Sequence, residues 1–101
     1  MAGIDIPLLH ITNHQIKKEK KNILVTGRWH PGESNSSHML QGFIDFLTSP
    51  AREAAELRNR ANFIIVPMAN PDGVVCGNTR TSLAGRDLNR QFLIANKELY
   101  P

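Results

Sequence analysis

The stretch Asn22-Ile23-Leu24-Val25-Thr26-Gly27-Arg28-Trp29-His30-Pro31-Gly32-Glu33 runs from a short apolar segment straight into a turn carrying a histidine and, three residues later, a glutamate. A continuous, partly β-branched apolar run without alternation reads as a strand covered on both faces. The turn then lies at the strand's carboxyl end, where open α/β sheets bind their ligands. Neutral imidazole and carboxylate placed there suit a divalent metal such as zinc, whose catalytic sites often use two histidines, a glutamate and a water. His30 and Glu33 are therefore candidate metal ligands.

Downstream of this turn, Ser34, Asn35, Ser36 and Ser37 are residues that favour helix N-caps. Met39, Leu40, Phe43, Ile44 and Leu47 then recur at helical spacing, which predicts a helix ending near Thr48 with one apolar stripe on the sheet. Ser49-Pro50 predicts a second helix start, with Ser as cap and Pro at the first helical position, and Ala51 to Arg60 is rich in helix formers. Phe63 to Val66 reads as the next strand. Strand, helix and strand in that order make a parallel crossover. Upstream, Leu8 to Thr12 reads as a strand and Asn13 to Asn22 as a polar connection. Asn70-Pro71-Asp72-Gly73 is a type I turn signal, and Val74 to Arg90 is polar, glycine-punctuated and irregular. Irregular segments of such length tend to be functional. The expected fold class is α/β: a mainly parallel, three- or four-stranded part of a mixed sheet with helices packed on it.

At 101 residues the chain is one domain at most. Its net charge of +3 comes largely from Lys17, Lys18, Lys20 and Lys21. No aromatic side chain is interleaved there, so this cluster reads as a solvated turn, and no nucleic-acid partner is expected. Cys76 is the only cysteine, which excludes an intrachain disulfide and a thiolate zinc cluster and fits a cytoplasmic setting. The N-terminus lacks the parts of a signal peptide, and no apolar run approaches transmembrane length, so no membrane partner is expected.

His30-Pro31-Gly32-Glu33-Ser34-Asn35-Ser36-Ser37 resembles the zinc motif of the cytosolic carboxypeptidases, a branch of the M14 metallocarboxypeptidases. Asn70-Pro71-Asp72-Gly73-Val74-Val75, Gly77-Asn78, Arg80, Ser82-Leu83-Ala84-Gly85 and Asp87-Leu88-Asn89-Arg90 extend the resemblance in the family's order. The resemblance implies Zn2+ as cofactor, with His30 and Glu33 as its first two ligands. It implies that Arg80 polarises the scissile carbonyl, that Asn89 and Arg90 hold the substrate's terminal carboxylate, and that Asp87 orients the zinc histidine from behind. Each role suits its residue type: a guanidinium grips a carboxylate bidentately, a fixed cation steadies developing negative charge, and a carboxylate on the far ring nitrogen fixes a tautomer. The implied partner is a protein or peptide C-terminus, with acidic tails such as polyglutamate chains on tubulin-like proteins as substrate.

The same resemblance places a third zinc ligand, a histidine, and a general-base glutamate further downstream. No histidine follows His38, and Glu98 is the only acidic residue after Asp87. Residues 1–101 are therefore expected to be the N-terminal portion of an M14 catalytic domain, with the C-terminal half missing. His38 lies five positions after Glu33, which on a helix turns it away, and no motif surrounds His10 or His14. Two alternatives stand beside this one. Aspartoacylases and succinylglutamate desuccinylases also join His-x-x-Glu to Asp-Leu-Asn-Arg, but the Pro-Gly-Glu-Ser-Asn-Ser-Ser run and the Asn-Pro-Asp-Gly turn favour the carboxypeptidases. The chain alone is otherwise a carboxylate-binding module without turnover. Residue by residue, the bland readings are a solvated Arg80, an exposed Arg86–Asp87 pair, Asn89 as a helix cap and Trp29 as packing. An interrupted sheet also leaves an unpaired edge, which predicts poor solubility.

Overall fold

A computed structural model describes residues 3–94 and 96. Glu98 and the Tyr100-Pro101 ending lie outside the described residues. The elements are β1 (Leu9–Ile11), β2 (Lys21–Thr26), α1 (Ser34–Thr48), α2 (Arg52–Arg60), β3 (Ala61–Val66), α3 (Pro71–Val75) and a 3-10 turn (Leu88–Arg90). The strands form a three-stranded sheet in the order β1-β3-β2. β2 runs parallel to β3, with Ile23 opposite Phe63 and Val25 opposite Ile65, as the crossover requires. β1 runs antiparallel on the other side, with Leu9 opposite Ile65. The sheet is thus mixed.

β3 alternates: Ala61, Phe63 and Ile65 are buried while Asn62, Ile64 and Val66 are half-buried. The buried set faces Leu40 and Leu47 of α1, and these five residues form the core, with Ile11, Val25, Phe43 and Ile44 packed around them. Phe43 meets Phe63 edge to face, with ring centroids 5.9 Å apart. The helical spacing therefore places α1 on the sheet through Leu40, Phe43, Ile44 and Leu47 of the predicted stripe, while Met39 is left exposed.

The second face differs from expectation. Leu24 is 66% exposed and Ile23 38% exposed, so β2 is not covered on both faces. Among the described residues, β2 pairs only with β3 and the core lies on one side of the sheet. An unbroken apolar run cannot by itself report which neighbours cover it.

Helix starts also shifted. The N-cap position of α1 is Glu33, without a side-chain cap bond, and of the serines expected to cap, Ser36 and Ser37 bond to Arg28 instead. Ser49 closes α1, its amide donating to Phe46 at 3.1 Å. α2 then starts at Arg52 behind Ala51, rather than at Pro50. Ser49 still contributes, its hydroxyl accepting from the Ala51 amide at 3.3 Å. Asn70-Pro71-Asp72-Gly73 is the first turn of α3 instead of an isolated turn: Asn70 caps it by accepting from the Gly73 amide, and Pro71 sits where a missing N–H costs nothing.

The β1–β2 connection is tied down by one cation. Lys20 Nζ donates to Thr12 Oγ1 at 2.9 Å and to the carbonyls of Asn13 and Arg58, the latter in the last turn of α2. A cation near helix C-terminal carbonyls is favourable. Lys20→Met removes these charged hydrogen bonds and is expected to cost about 1.5–3 kcal/mol in denaturant unfolding. Lys17→Met and Lys18→Met, on the exposed part of the same connection, serve as near-neutral controls.

Candidate active site

The turn after β2 is held by backbone contacts on both sides. Gly27 continues the sheet pairing, its amide donating to Val66 at 2.9 Å and its carbonyl accepting from Ala69 at 2.9 Å. The Asn70 side chain donates to the Trp29 carbonyl at 3.3 Å, and the Gly32 amide donates to the Thr79 carbonyl at 2.8 Å. Pro31 lies directly against Gly73, where a Cβ would strike its ring and would come within 2.7 Å of the Thr81 carbonyl. The α3 region and the loop after it thus form a seat for the His30–Glu33 turn.

On this seat His30 is 8% exposed. Its Nδ1 lies 3.0 Å from Glu33 Oε1, and its Nε2 lies 3.1 Å from Asp87 Oδ1, across 57 residues of sequence. Asp87 in turn pairs through Oδ2 with Arg80 Nε at 2.8 Å. Asp87 Oδ1 also accepts the Asn89 amide at 3.0 Å, which starts the 3-10 turn. Partial burial works against the charged form of Asp87. The His30 hydrogen bond, the Arg80 guanidinium, the His30 charge and the Asn89 amide outweigh it and hold its pKa below the ordinary carboxylate value.

Both ring nitrogens of His30 therefore face carboxylate oxygens. A neutral imidazole has one N–H to offer. If Nε2 donates it to Asp87, the Nδ1 lone pair faces the Glu33 carboxylate, and the two repel unless a second proton or a metal ion lies between them. This is the donor chemistry of a metal site: an imidazole nitrogen and a carboxylate oxygen converging, with a second carboxylate behind the ring fixing its tautomer. His30 and Glu33 are thus two donors of the kind that could hold a zinc ion, which takes three protein ligands in catalytic sites. Among the described residues no group of three His, Cys, Asp or Glu side chains gathers to hold a metal.

Of the residues singled out in the sequence, the structure brings His30, Glu33, Asp87 and Arg80 into one chain of contacts. Asn89 joins it through its backbone. Asp87, rather than Asn89, caps the last turn. Arg90 is exposed, with Nη1 on the Asn89 carbonyl at 3.2 Å. His10, His14 and His38 are all exposed. His10 and His14 pack on each other at 5.6 Å between centroids, and His10 lies on β1 opposite Ile64. Trp29 donates to Thr26 Oγ1 at 2.8 Å and packs edge-on with Phe92 at 5.1 Å. Sequence reasoning missed the supports: Arg28, Ser36, Ser37, Gly73 and Thr79. Only the cap preference of Asn70 before Pro71 offered a local signal for the seat.

The model of the zinc carboxypeptidase family matches residues 1–99. The chain belongs to the zinc carboxypeptidase family. Its relatives within that family include cytosolic carboxypeptidase 2 of Xenopus tropicalis, 49% identical over 105 residues that cover 100% of this chain and 11% of that protein. Cytosolic carboxypeptidase 2 of Homo sapiens is 48% identical, over 100% of this chain and 12% of that protein. Among solved structures, a metallo-carboxypeptidase from Pseudomonas aeruginosa in complex with (2-guanidinoethylmercapto)succinic acid superposes with a TM-score of 0.87 at 37% identity, over 95% of this chain and 25% of that one. A metallo-carboxypeptidase from Burkholderia cenocepacia gives 0.84 at 35% identity, over 90% and 25%. The chain thus spans about a tenth of the length of the two cytosolic relatives. The zinc carboxypeptidase fold agrees with the α/β class expected from the sequence. No helix among the described residues is long and apolar enough to cross a membrane.

Proposed function

We propose that residues 1–101 are the N-terminal portion of the catalytic domain of a zinc-dependent carboxypeptidase, which removes C-terminal residues, glutamates among them, from protein or peptide tails in the cytoplasm. The observation that carries this reading is His30 held between two carboxylates, one of them paired with Arg80. His30 Nδ1 and Glu33 would hold Zn2+, and Asp87 fixes the histidine's tautomer through Nε2. When bound, the ion supplies Lewis acidity and lowers the pKa of water.

The remaining residues act on the substrate. Arg80 spends Nε on Asp87, so its position is fixed while its terminal amino groups remain donors toward a scissile carbonyl. A cation fixed in advance stabilises charge as it develops, without reorganising at the moment of reaction. Arg90 and Asn89 bind the terminal carboxylate, which selects the chain end over internal peptide bonds. Acidic tails, such as glutamate chains on tubulin-like proteins, are the substrate class this reading takes from its resemblance to the cytosolic carboxypeptidases.

A second reading has its own support. With two metal donors and an arginine pair, the 101 residues alone are suited to holding a carboxylate without cleaving it. The test is release of a C-terminal amino acid from a glutamate-tailed peptide with added zinc, using a chelator as control. Both the 101-residue chain and a version extended through its downstream reading frame are assayed. Chelator-sensitive release by the extended version, with the short chain inert, is the expected result. An extended version that is also inert would sink the hydrolase reading and leave the carboxylate-binding one.

A further inference from the structure

Arg28 is the only non-glycine residue among those described with a positive φ, at 52°. For an L-residue other than Asn or Asp this left-handed conformation is uncommon and persists where surrounding contacts hold it. The contacts join the His30–Glu33 turn to the start of α1. Arg28 Nε and Nη2 donate to the Pro31 carbonyl at 3.0 and 2.7 Å, a two-pronged grip on one oxygen. Nη1 donates to Ser37 Oγ at 2.9 Å, in the first turns of α1. The Arg28 amide donates to Ser36 Oγ at 3.1 Å, and that hydroxyl donates in turn to the Glu33 carbonyl at 3.0 Å. Arg28 is thus bonded to the Pro31 carbonyl and to Ser36 and Ser37 of the helix that follows the turn, and reaches the Glu33 carbonyl only through the Ser36 hydroxyl.

We infer that Arg28 is a positioning residue that sets the approach of His30 to Glu33, closing the turn from the inside while Gly73 and Thr79 seat it from the outside. The left-handed backbone is what folds the guanidinium back under its own turn. An extended Arg28 would send the side chain away from Pro31. The guanidinium suits this task because its donors lie in one plane and can grip one carbonyl and one hydroxyl together. An ammonium is a single point that cannot reproduce the fork. Its effect on metal binding is indirect, through the separation and orientation of two donors, and residues of that kind typically alter metal affinity by about 10–100-fold. The inference deepens the zinc reading and rests on it for that effect; the closure of the turn itself does not.

Three variants of the chain extended through its downstream reading frame, where this reading places the third ligand, test it: Arg28→Gly, Arg28→Lys and His30→Ala. Glycine adopts positive φ without cost, so Arg28→Gly removes the guanidinium while keeping the backbone. Zinc affinity is read by competition with a chromogenic chelator, and closure of the turn by amide hydrogen exchange at Gly32, Glu33 and Ser34. Arg28→Gly is expected to bind zinc about 10–100-fold more weakly and to exchange faster at those three amides. Arg28→Lys is expected to fail similarly, since it keeps the charge and loses the fork. Equal affinity and unchanged exchange in Arg28→Gly would overturn the inference, as would full rescue by lysine. If the parent chain binds no zinc, or His30→Ala binds it equally well, the metal reading fails, and the exchange rates alone then decide whether Arg28 closes the turn.

Discussion

Gly73→Ala is expected to lower stability by about 3 kcal/mol, at the upper end of what overpacking costs. For a domain of this size that is a fall of roughly 12–24 °C in Tm. The reason is that three surfaces converge where the side chain would go. A Cβ there would run into the Pro31 ring, come within 2.7 Å of the Thr81 carbonyl and approach Asn70 Oδ1 to 2.9 Å. A flexible side chain tip would swing aside, but a proline ring and a backbone carbonyl cannot, and Asn70 is itself committed to capping α3. Relief must come from lifting Pro31, and His30 moves with it. Metal affinity should therefore fall along with Tm. Gly42→Ala provides the opposite sign within the same chain. Gly42 lies within α1 with nothing within 4 Å of the added methyl, and gaining helix propensity is worth about 0.5–1 kcal/mol. Thermal melts in which both variants lose stability alike would show that the Gly73 contact is not what matters.

Arg80→Ala is expected to reduce turnover of a C-terminal peptide by about 10²–10³-fold in the extended, active version of the chain, as loss of one preorganised oxyanion donor does. The loss should fall on kcat more than on KM, since the interaction strengthens as negative charge develops. Stability should change little, because Arg80 is half exposed and its ion pair with Asp87 is partly solvated. Arg90→Ala should behave differently. On the proposed assignment it removes binding of the terminal carboxylate, so KM is expected to rise and discrimination against peptides with an amidated C-terminus to be lost. If Arg80→Ala alters KM alone, Arg80 belongs with the substrate clamp and the assignment of roles must be exchanged.

Much of this architecture was legible because its signals are local. The apolar run before His30, the stripe from Met39 to Leu47 and the run ending at Val66 each report one element, and chain order makes them a parallel crossover. His30 and Glu33 stood out because they share one turn. What stayed hidden depends on contacts distant in sequence. The exposure of Leu24 depends on what lies beyond β2, which no property of Leu24 records. Ser36 and Ser37 look like helix caps, yet their hydroxyls accept from Arg28, whose φ of 52° cannot be read from its identity. For Asp87 the resemblance implies a place behind His30, but nothing local separates that from an exposed pair with its neighbour Arg86; the contacts with His30 and Arg80 exist only in the fold.

The span between His30 and Asp87 also sets an order of events. A ribosome adding roughly 5–20 residues per second needs about 3–11 seconds to travel from one to the other. During that interval the nascent chain carries the histidine and glutamate without the carboxylate that fixes the ring or the arginine beside it. The contact across 57 residues depends on the crossover that pairs β2 with β3 and on the loop after α3 that carries Asp87. The ring of His30 therefore cannot be fixed by Asp87 until the intervening chain has been made, although both of its turn's own donors emerge together.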